Sequence, residues 1–160
     1  MANKDAAFGL RPAKHVSGSP FNGGQSRYRI TTSATAYSTK IYMGDIVTQG
    51  TGGTITRIAR ADGGGATSAI ILGVFNGCYY TDPTTSKPTW SNHWPGNAAT
   101  DAVGFIIDDP YVVFEVQADA AMKAIGISTD PQNSDVATAN TNVLCLIQNH
   151  LYRQAQVGLA

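Results

Sequence analysis

The sequence predicts a mainly β protein, with a small β-barrel or β-sandwich body, an extended N-terminal arm and at most one short helix. The first observation is the alternation after Pro110, where Val112, Phe114 and Val116 share one side of an extended segment. The second is the composition: the chain has 17 glycines and only 14% charged residues, against about 25% in an average soluble domain. Such a composition favours strands joined by turns.

The length and charge of the chain limit its architecture and its partners. A chain of 160 residues suits one folded body, which could bury about 70% of its unfolded surface. The first 60 residues carry eight basic and two acidic side chains, a net of +6, and the remaining residues carry a net of −6. The two halves either match each other within the chain, or the basic half docks on another chain. The basic residues are spaced rather than bunched, which argues against direct nucleic-acid binding.

The hydropathy of the chain predicts no membrane association. Its longest apolar run, from Ala69 to Val74, is far too short to span a bilayer. The start of the chain does not have the pattern of a signal peptide, and we find no lipidation motif. We therefore expect the protein to be made in the cytoplasm and kept there or assembled into a larger structure.

Residues 1–30 are predicted to be an extended arm, and residues 31–160 a β-rich domain. Glycine and proline punctuate the arm too often for a regular element, and its apolar residues are isolated from one another. The arm is expected to be mobile in the free protein and to become ordered against a partner. Its apolar anchors are Phe8, Leu10, Val16, Phe21 and Tyr28.

The first part of the predicted body contains a hairpin and a buried strand. Gly50 to Gly53 separate the segments KIYMGDIVTQ and TITRIARA, which favours a β-hairpin. These glycines lack the following Lys-Ser/Thr of a phosphate loop. The continuous apolar run AIILGVFNGCYY predicts a strand buried on both faces, with a bulge or a close backbone approach at Gly73.

Residues 81–104 are rich in turns and hold both tryptophans. Trp90, His93 and Trp94 could stack against sugars or form a receptor-binding tip, because tryptophan combines an apolar ring with a polar N–H group. They could equally anchor a subunit contact, since aromatic residues are enriched at protein interfaces, or fold back on the body. The sequence leaves these alternatives open.

The last third of the chain is predicted to hold the central strand, one short helix and a final strand. Asp108, Asp109 and Pro110 form a turn before the central strand. Asp119 and Gly126 have the positions of an N-cap and a stop for a short helix. A polar loop, residues 128–141, precedes the segment NVLCLIQNHLY, whose apolar faces predict a strand in the middle of a sheet or at an interface.

A search for catalytic and metal-binding residues favours a protein that is not an enzyme. Cys78 and Cys145 lie in apolar runs, which is typical of buried free thiols, and a disulfide between them is the alternative. Cys145 and His150 are an odd number of residues apart, so on one regular strand they face opposite sides. Asp108 and Asp109 are better explained as a capped turn than as acid–base carboxylates. We therefore predict no catalytic residues, no cofactor and no metal.

Several segments resemble the small decoration, or cement, proteins of tailed-bacteriophage heads. The N-terminal stretch NKDAAFGLRP, followed by HVSGSPFNGG and RYRI, is similar to the start of those proteins. A second similar segment is DDPYVVFEVQAD, and between the two lie GDIV, residues 44–47, and ILGVF, which ends at Phe75. Residues 84–100 and the tail after Asn149 do not follow the pattern of the family.

The resemblance implies a structural virion protein on the capsid exterior, made in the host cytoplasm. Such a protein binds the major capsid protein, cements neighbouring capsid subunits and stabilises the DNA-filled head, as a homotrimer at local three-fold positions. The alternative function is a carbohydrate- or receptor-binding β-module that uses Trp90 and Trp94. The residues expected to contact the capsid are Phe8, Leu10, Arg11, Lys14, His15, Phe21, Arg27, Tyr28 and Arg29.

Overall fold

The computed structural model describes residues 8–31, 36–58, 70–118, 127–129, 141–147 and 150–152. These residues form twelve strands and one short 3-10 turn, Thr51–Gly53, which confirms the mainly β class. The strands are β1 (Arg11–His15), β2 (Ser26–Arg29), β3 (Ile41–Tyr42), β4 (Ile46–Gln49), β5 (Ile55–Arg57), β6 (Gly73–Thr81), β7 (Pro88–Ser91), β8 (His93–Trp94), β9 (Val103–Ile107), β10 (Val112–Ala118), β11 (Ile127–Thr129) and β12 (Thr141–Ile147).

The strands pair in three antiparallel sheets. A four-stranded sheet has the order β1-β10-β12-β11, and a six-stranded sheet has the order β2-β9-β6-β4-β5, with β7 also paired to β6. Strands β3 and β8 form a small third sheet. Phe114 and Cys145 of the four-stranded sheet share one apolar core with Val74 and Ile107 of the six-stranded sheet. Within the described residues both larger sheets are open, so the body resembles a sandwich rather than a closed barrel.

The central strand β10 has the facing that the sequence predicts. Val112 and Phe114 are buried, whereas Val113 and Glu115 on the other side are partly exposed. The turn before the strand is capped by Asp109, whose Oδ1 accepts a hydrogen bond of 2.8 Å from the backbone N–H of Tyr111. Both the alternation and the capped turn are therefore confirmed.

The predicted hairpin and the buried strand are also confirmed. Strands β4 and β5 pair across the glycine-rich turn. On β6, Val74 packs toward the four-stranded sheet, and Phe75 packs into a second core that includes Ile41 and Trp94. A Cβ at Gly73 would collide with the carbonyl oxygen of Ile107, so the backbones of β6 and β9 approach closely there.

The N-terminal segment differs from the predicted arm. The sequence led us to expect no regular element before residue 31, yet β1 pairs with β10 and β2 pairs with β9. An edge strand can be held by backbone hydrogen bonds to its neighbour without an apolar alternation of its own. Residues 8–31 are therefore part of the sheets rather than an arm that is free of the body.

Two further stretches contain strands that the sequence did not reveal. The turn-rich region before β9 includes β7 and β8, and β7 begins at Pro88. The first residues of the predicted polar loop, Ser128 and Thr129, belong to β11. Strand β12 lies between β10 and β11, which confirms its predicted mid-sheet position. The predicted helix, residues 119–126, lies outside the described residues.

Candidate binding surface

The four segments that resemble phage decoration proteins contact one another. The backbone N–H of Leu10 donates to the carbonyl oxygen of Gly44 at 3.0 Å, and the N–H of Gly44 donates to that of Phe75 at 2.8 Å. These bonds join the N-terminal segment to GDIV, and GDIV to ILGVF. The fourth segment, DDPYVVFEVQAD, contains β10, whose Glu115 lies opposite Arg11 of β1. The four segments therefore build one continuous part of the fold.

Two of the predicted capsid contacts have carboxylate partners within the chain. Nη2 of Arg11 lies 2.7 Å from Oε2 of Glu115. The hydrogen bond from Arg11, and a weaker effect of the Asn142 amide, hold the pKa of Glu115 below its ordinary value. Nδ1 of His15 lies 3.3 Å from Oδ2 of Asp109. The opposite charges of the two halves are thus partly matched inside the protein.

Three more of the predicted contacts are held by the body. Leu10 is only 8% exposed and belongs to the core between the two larger sheets, so the expectation that it fills a groove on the capsid is corrected. Phe21 packs against the same core. Tyr28 packs against the second core and donates from its hydroxyl to Oδ2 of Asp108 at 2.7 Å. Burial, followed by its hydrogen bonds, raises the pKa of Tyr28 above its ordinary value.

The remaining predicted contacts reach the surface to different extents. Arg27 and Arg29 are exposed, because alternate residues of β2 turn outward. Lys14 is half-buried on β1. Phe8 is also half-buried, and the guanidinium carbon of Arg11 lies 4.5 Å from the centre of its ring. Of the nine residues, Arg11, Arg27 and Arg29 are exposed, and Arg11 is paired with Glu115.

A groove of about 600 Å³ lies between the N-terminal segment and the turn that follows β3. Tyr42 and Met43, which are 48% and 55% exposed, form its outer wall. The ring of His93 stacks on Tyr42 with the centroids 5.9 Å apart. Sequence reasoning missed this site. The apolar Met43 directly before Gly44, in a turn, could have indicated an exposed apolar side chain there. The other lining residues are Phe8, Gly9, Leu10, Arg11, Pro12, Gly44, Asn76 and Asn92.

The two tryptophans have opposite environments. Trp94 is fully buried, and its Nε1 donates to the carbonyl oxygen of Tyr37 at 2.7 Å. The expectation that Trp94 offers a binding surface is therefore wrong, because register with β3 places it in the core. Trp90 is 69% exposed and stacks on Phe105, with centroids 5.2 Å apart and planes inclined by 10°.

The side chains considered as catalytic candidates, Cys78, Cys145, Asp108 and Asp109, are either buried or engaged in hydrogen bonds within the fold. Burial raises the pKa of the Cys78 thiol to about 12 and that of Cys145 to about 11, which disfavours the nucleophilic thiolate. Asp108 accepts hydrogen bonds from the hydroxyls of Ser26 and Tyr28, and Asp109 caps its turn. In the described part of the chain, His, Cys, Asp and Glu side chains do not gather in threes that could hold a metal ion. The same residues include no helix that is long and apolar enough to cross a membrane.

Comparison with known proteins adds no relative to this description. The chain matches no protein-family model, no curated protein and no solved structure.

Proposed function

We propose that this protein is a structural virion protein that binds the outer surface of a phage capsid. It cements neighbouring major capsid subunits and so stabilises the DNA-filled head. The observation that supports the proposal is the contact among the four segments that resemble decoration proteins, through Leu10, Gly44, Phe75 and the pairing of β1 with β10.

The proposed contact surface combines the groove with the exposed arginines of β2. Tyr42 and Met43 supply apolar area, and both residue types are enriched at protein interfaces. Arg27 and Arg29 supply positive charge, which favours rapid association with an acidic surface. The amide of Asn76 in the groove donates to Oε1 of the residue before β2, Gln25, at 2.8 Å, so the start of β2 borders the groove.

The protein acts mechanically in this proposal. A molecule that bridges two capsid subunits adds its binding free energy to their interface, because separating them then requires its release as well. The resemblance implies a homotrimer, which would place three copies of the groove around a local three-fold axis of the shell. Three linked contacts bind far more tightly than one, provided that they can engage together.

Heads assembled from the cognate major capsid protein, but without this chain, provide the test. Purified protein should bind them to a fixed stoichiometry and raise their resistance to heat and osmotic shock. The double variant Tyr42→Ser/Met43→Ser should lose at least tenfold in affinity, which is the effect of about 1.4 kcal/mol. Tyr111→Ser, which alters a tyrosine that is 57% exposed and does not line the groove, is the matched control. Failure of the wild-type protein to bind heads would refute the proposal.

A further inference from the structure

The surface around Trp90 is a flat aromatic platform. The indole of Trp90 on β7 reaches across β6 and lies parallel to Phe105 of β9. Tyr79 on β6 supports it at a centroid distance of 4.9 Å. The pairing of β6 with β9 is irregular between Phe75 and Cys78, and Gly77 there has φ +129, a conformation that favours glycine. The platform is thus held in place before any ligand arrives.

The platform adjoins a shallow depression of about 350 Å³, which is lined by aromatic rings and by polar, uncharged side chains. Gln25, Asn76, Ser91 and Asn92 line it together with Trp90. The bond from Nδ2 of Asn76 to Oε1 of Gln25 uses one N–H and one carbonyl oxygen. Each amide has further donor and acceptor capacity beyond that bond. Within the described residues the lining contains no Lys, Arg, Asp or Glu, and the guanidinium carbon of Arg27 lies 5.8 Å from the ring centre of Phe105, one of the lining residues. The lining itself therefore suits a neutral ligand.

We propose that this depression binds a neutral pyranose sugar, as a second site beyond the capsid contact. A pyranose ring has an apolar C–H face that fits a flat indole, and hydroxyl groups around its edge that donate and accept hydrogen bonds. The platform would take the C–H face, and Asn76, Gln25 and Asn92 would bond to the hydroxyls. The volume lies at the lower end of the range of about 300–1,000 Å³ for small-molecule sites.

A protein partner is a poorer match to this site. Protein hot spots are anchored in closed pockets that exclude water, whereas the depression is shallow and open and places amide side chains beside its aromatic rings. The site borders the groove at Asn76 and Asn92 but does not use Tyr42 or Met43. Sugar binding and capsid binding can therefore be separated by mutation.

Nuclear magnetic resonance on the isolated full-length protein tests the proposal. Maltohexaose, cellohexaose and chitohexaose serve as probes, followed by an array of bacterial surface glycans. The indole N–H signal of Trp90 and the side-chain amides of Asn76 and Gln25 should shift on titration, while that of Trp94, buried and bonded to Tyr37, should not. Trp90→Ala should weaken binding at least tenfold, Trp90→Phe should weaken it less, and Tyr111→Ala should leave it unchanged.

The possible outcomes separate the two proposals. No response to any glycan, or a response that survives Trp90→Ala, overturns the sugar site; the unshifted Trp94 signal shows that the variant remains folded. If Trp90→Ala abolishes head binding without any sugar response, the platform belongs to the capsid contact and the sugar site is refuted. If the protein binds glycans but not heads, the sugar site is supported and the proposed capsid function is refuted.

Discussion

The backbones of Gly9 and Gly44 lie against each other where the N-terminal segment crosses the body. A Cβ on Gly9 would lie 2.7 Å from the Cα of Gly44, and a Cβ on Gly44 would lie 2.6 Å from the Cα of Gly9. Real Cβ atoms essentially never approach backbone atoms so closely. A side chain on either glycine would therefore displace the backbone of the other. This crossing, together with the bond from Leu10 to Gly44, fixes the N-terminal segment to the rest of the fold.

The first prediction separates the crossing from simple backbone strain. Gly44 has φ +91 and Gly18 has φ +90, but a Cβ on Gly18 meets nothing within 4 Å. Gly18→Ala should therefore cost only the strain of the left-handed region, about 1–2 kcal/mol. Gly44→Ala should cost more, because the clash is added to the same strain. Urea unfolding of the two variants measures the difference, and equal losses would mean that the crossing contributes nothing to stability.

The second prediction concerns the facing of β10. Phe114→Ala should lower the free energy of unfolding by about 3–5 kcal/mol, because it leaves a cavity between the two larger sheets. Glu115→Ala should lower it by at most about 1 kcal/mol, since Arg11, its partner, is exposed. Denaturant melts of the two variants make the comparison. Similar losses would show that the side chain of Phe114 is not in the core.

The third prediction gives the pH dependence of the Arg11–Glu115 pair. The hydrogen bonds from Arg11 and Asn142 lower the pKa of Glu115 below the ordinary 4.5, so folding favours the ionised carboxylate. The contribution to stability is present above the ordinary value and is lost as the pH falls through the lowered one. Glu115→Gln should therefore be less stable than the wild type near neutral pH, and the two should converge in acid. Urea melts over a pH series test this, and a gap that persists in acid would contradict it.

The fourth prediction uses the buried thiols as reporters of unfolding. Cys78 and Cys145 are free and buried, and their pKa values are raised to about 12 and about 11. Since the thiolate is the reactive form, both should react slowly with a thiol reagent near neutral pH and rapidly once urea unfolds the chain. Mass spectrometry after brief labelling identifies each site. Prompt modification of either thiol in the native protein would place it at the surface.

The sequence was most informative where a strand has one face in the core. Val112 and Phe114 lie on one side of β10, whereas Glu115 and Gln117 lie on the other, and this period-2 pattern made the facing of the strand predictable. Leu10 could not be assigned in this way, since the groups that bury it are distant along the chain and meet it through Gly44. The same holds for Trp90 and Trp94: they lie in the same short, turn-rich stretch, and the pairing of Ile41 with Trp94 decides which one is buried.

The candidate surface, which consists of the groove and the arginines of β2, was only partly predictable, because the groove depends on contacts between distant segments. The exposed arginines of β2 were identified from charge alone, which does not depend on the fold in detail. Their alternation with Ser26 and Tyr28 was visible, but a strand whose inward side chains are polar or aromatic lacks the apolar signal of a core. The groove arises from segments distant in sequence, and only the three-dimensional arrangement brings Phe8 and Met43 to one site.

The last prediction tests the role of the β2 arginines in capsid binding. Arg29→Glu should leave the free energy of unfolding nearly unchanged, because the side chain is exposed on an outer strand. On heads lacking this chain, the variant should associate more slowly and with a weaker dependence on salt, since steering by opposite charge acts on the association rate. Lys87→Glu reverses an exposed charge outside the groove and serves as the control. Equal association rates for Arg29→Glu and the wild type at low salt would remove β2 from the contact and leave the groove to bind the capsid alone.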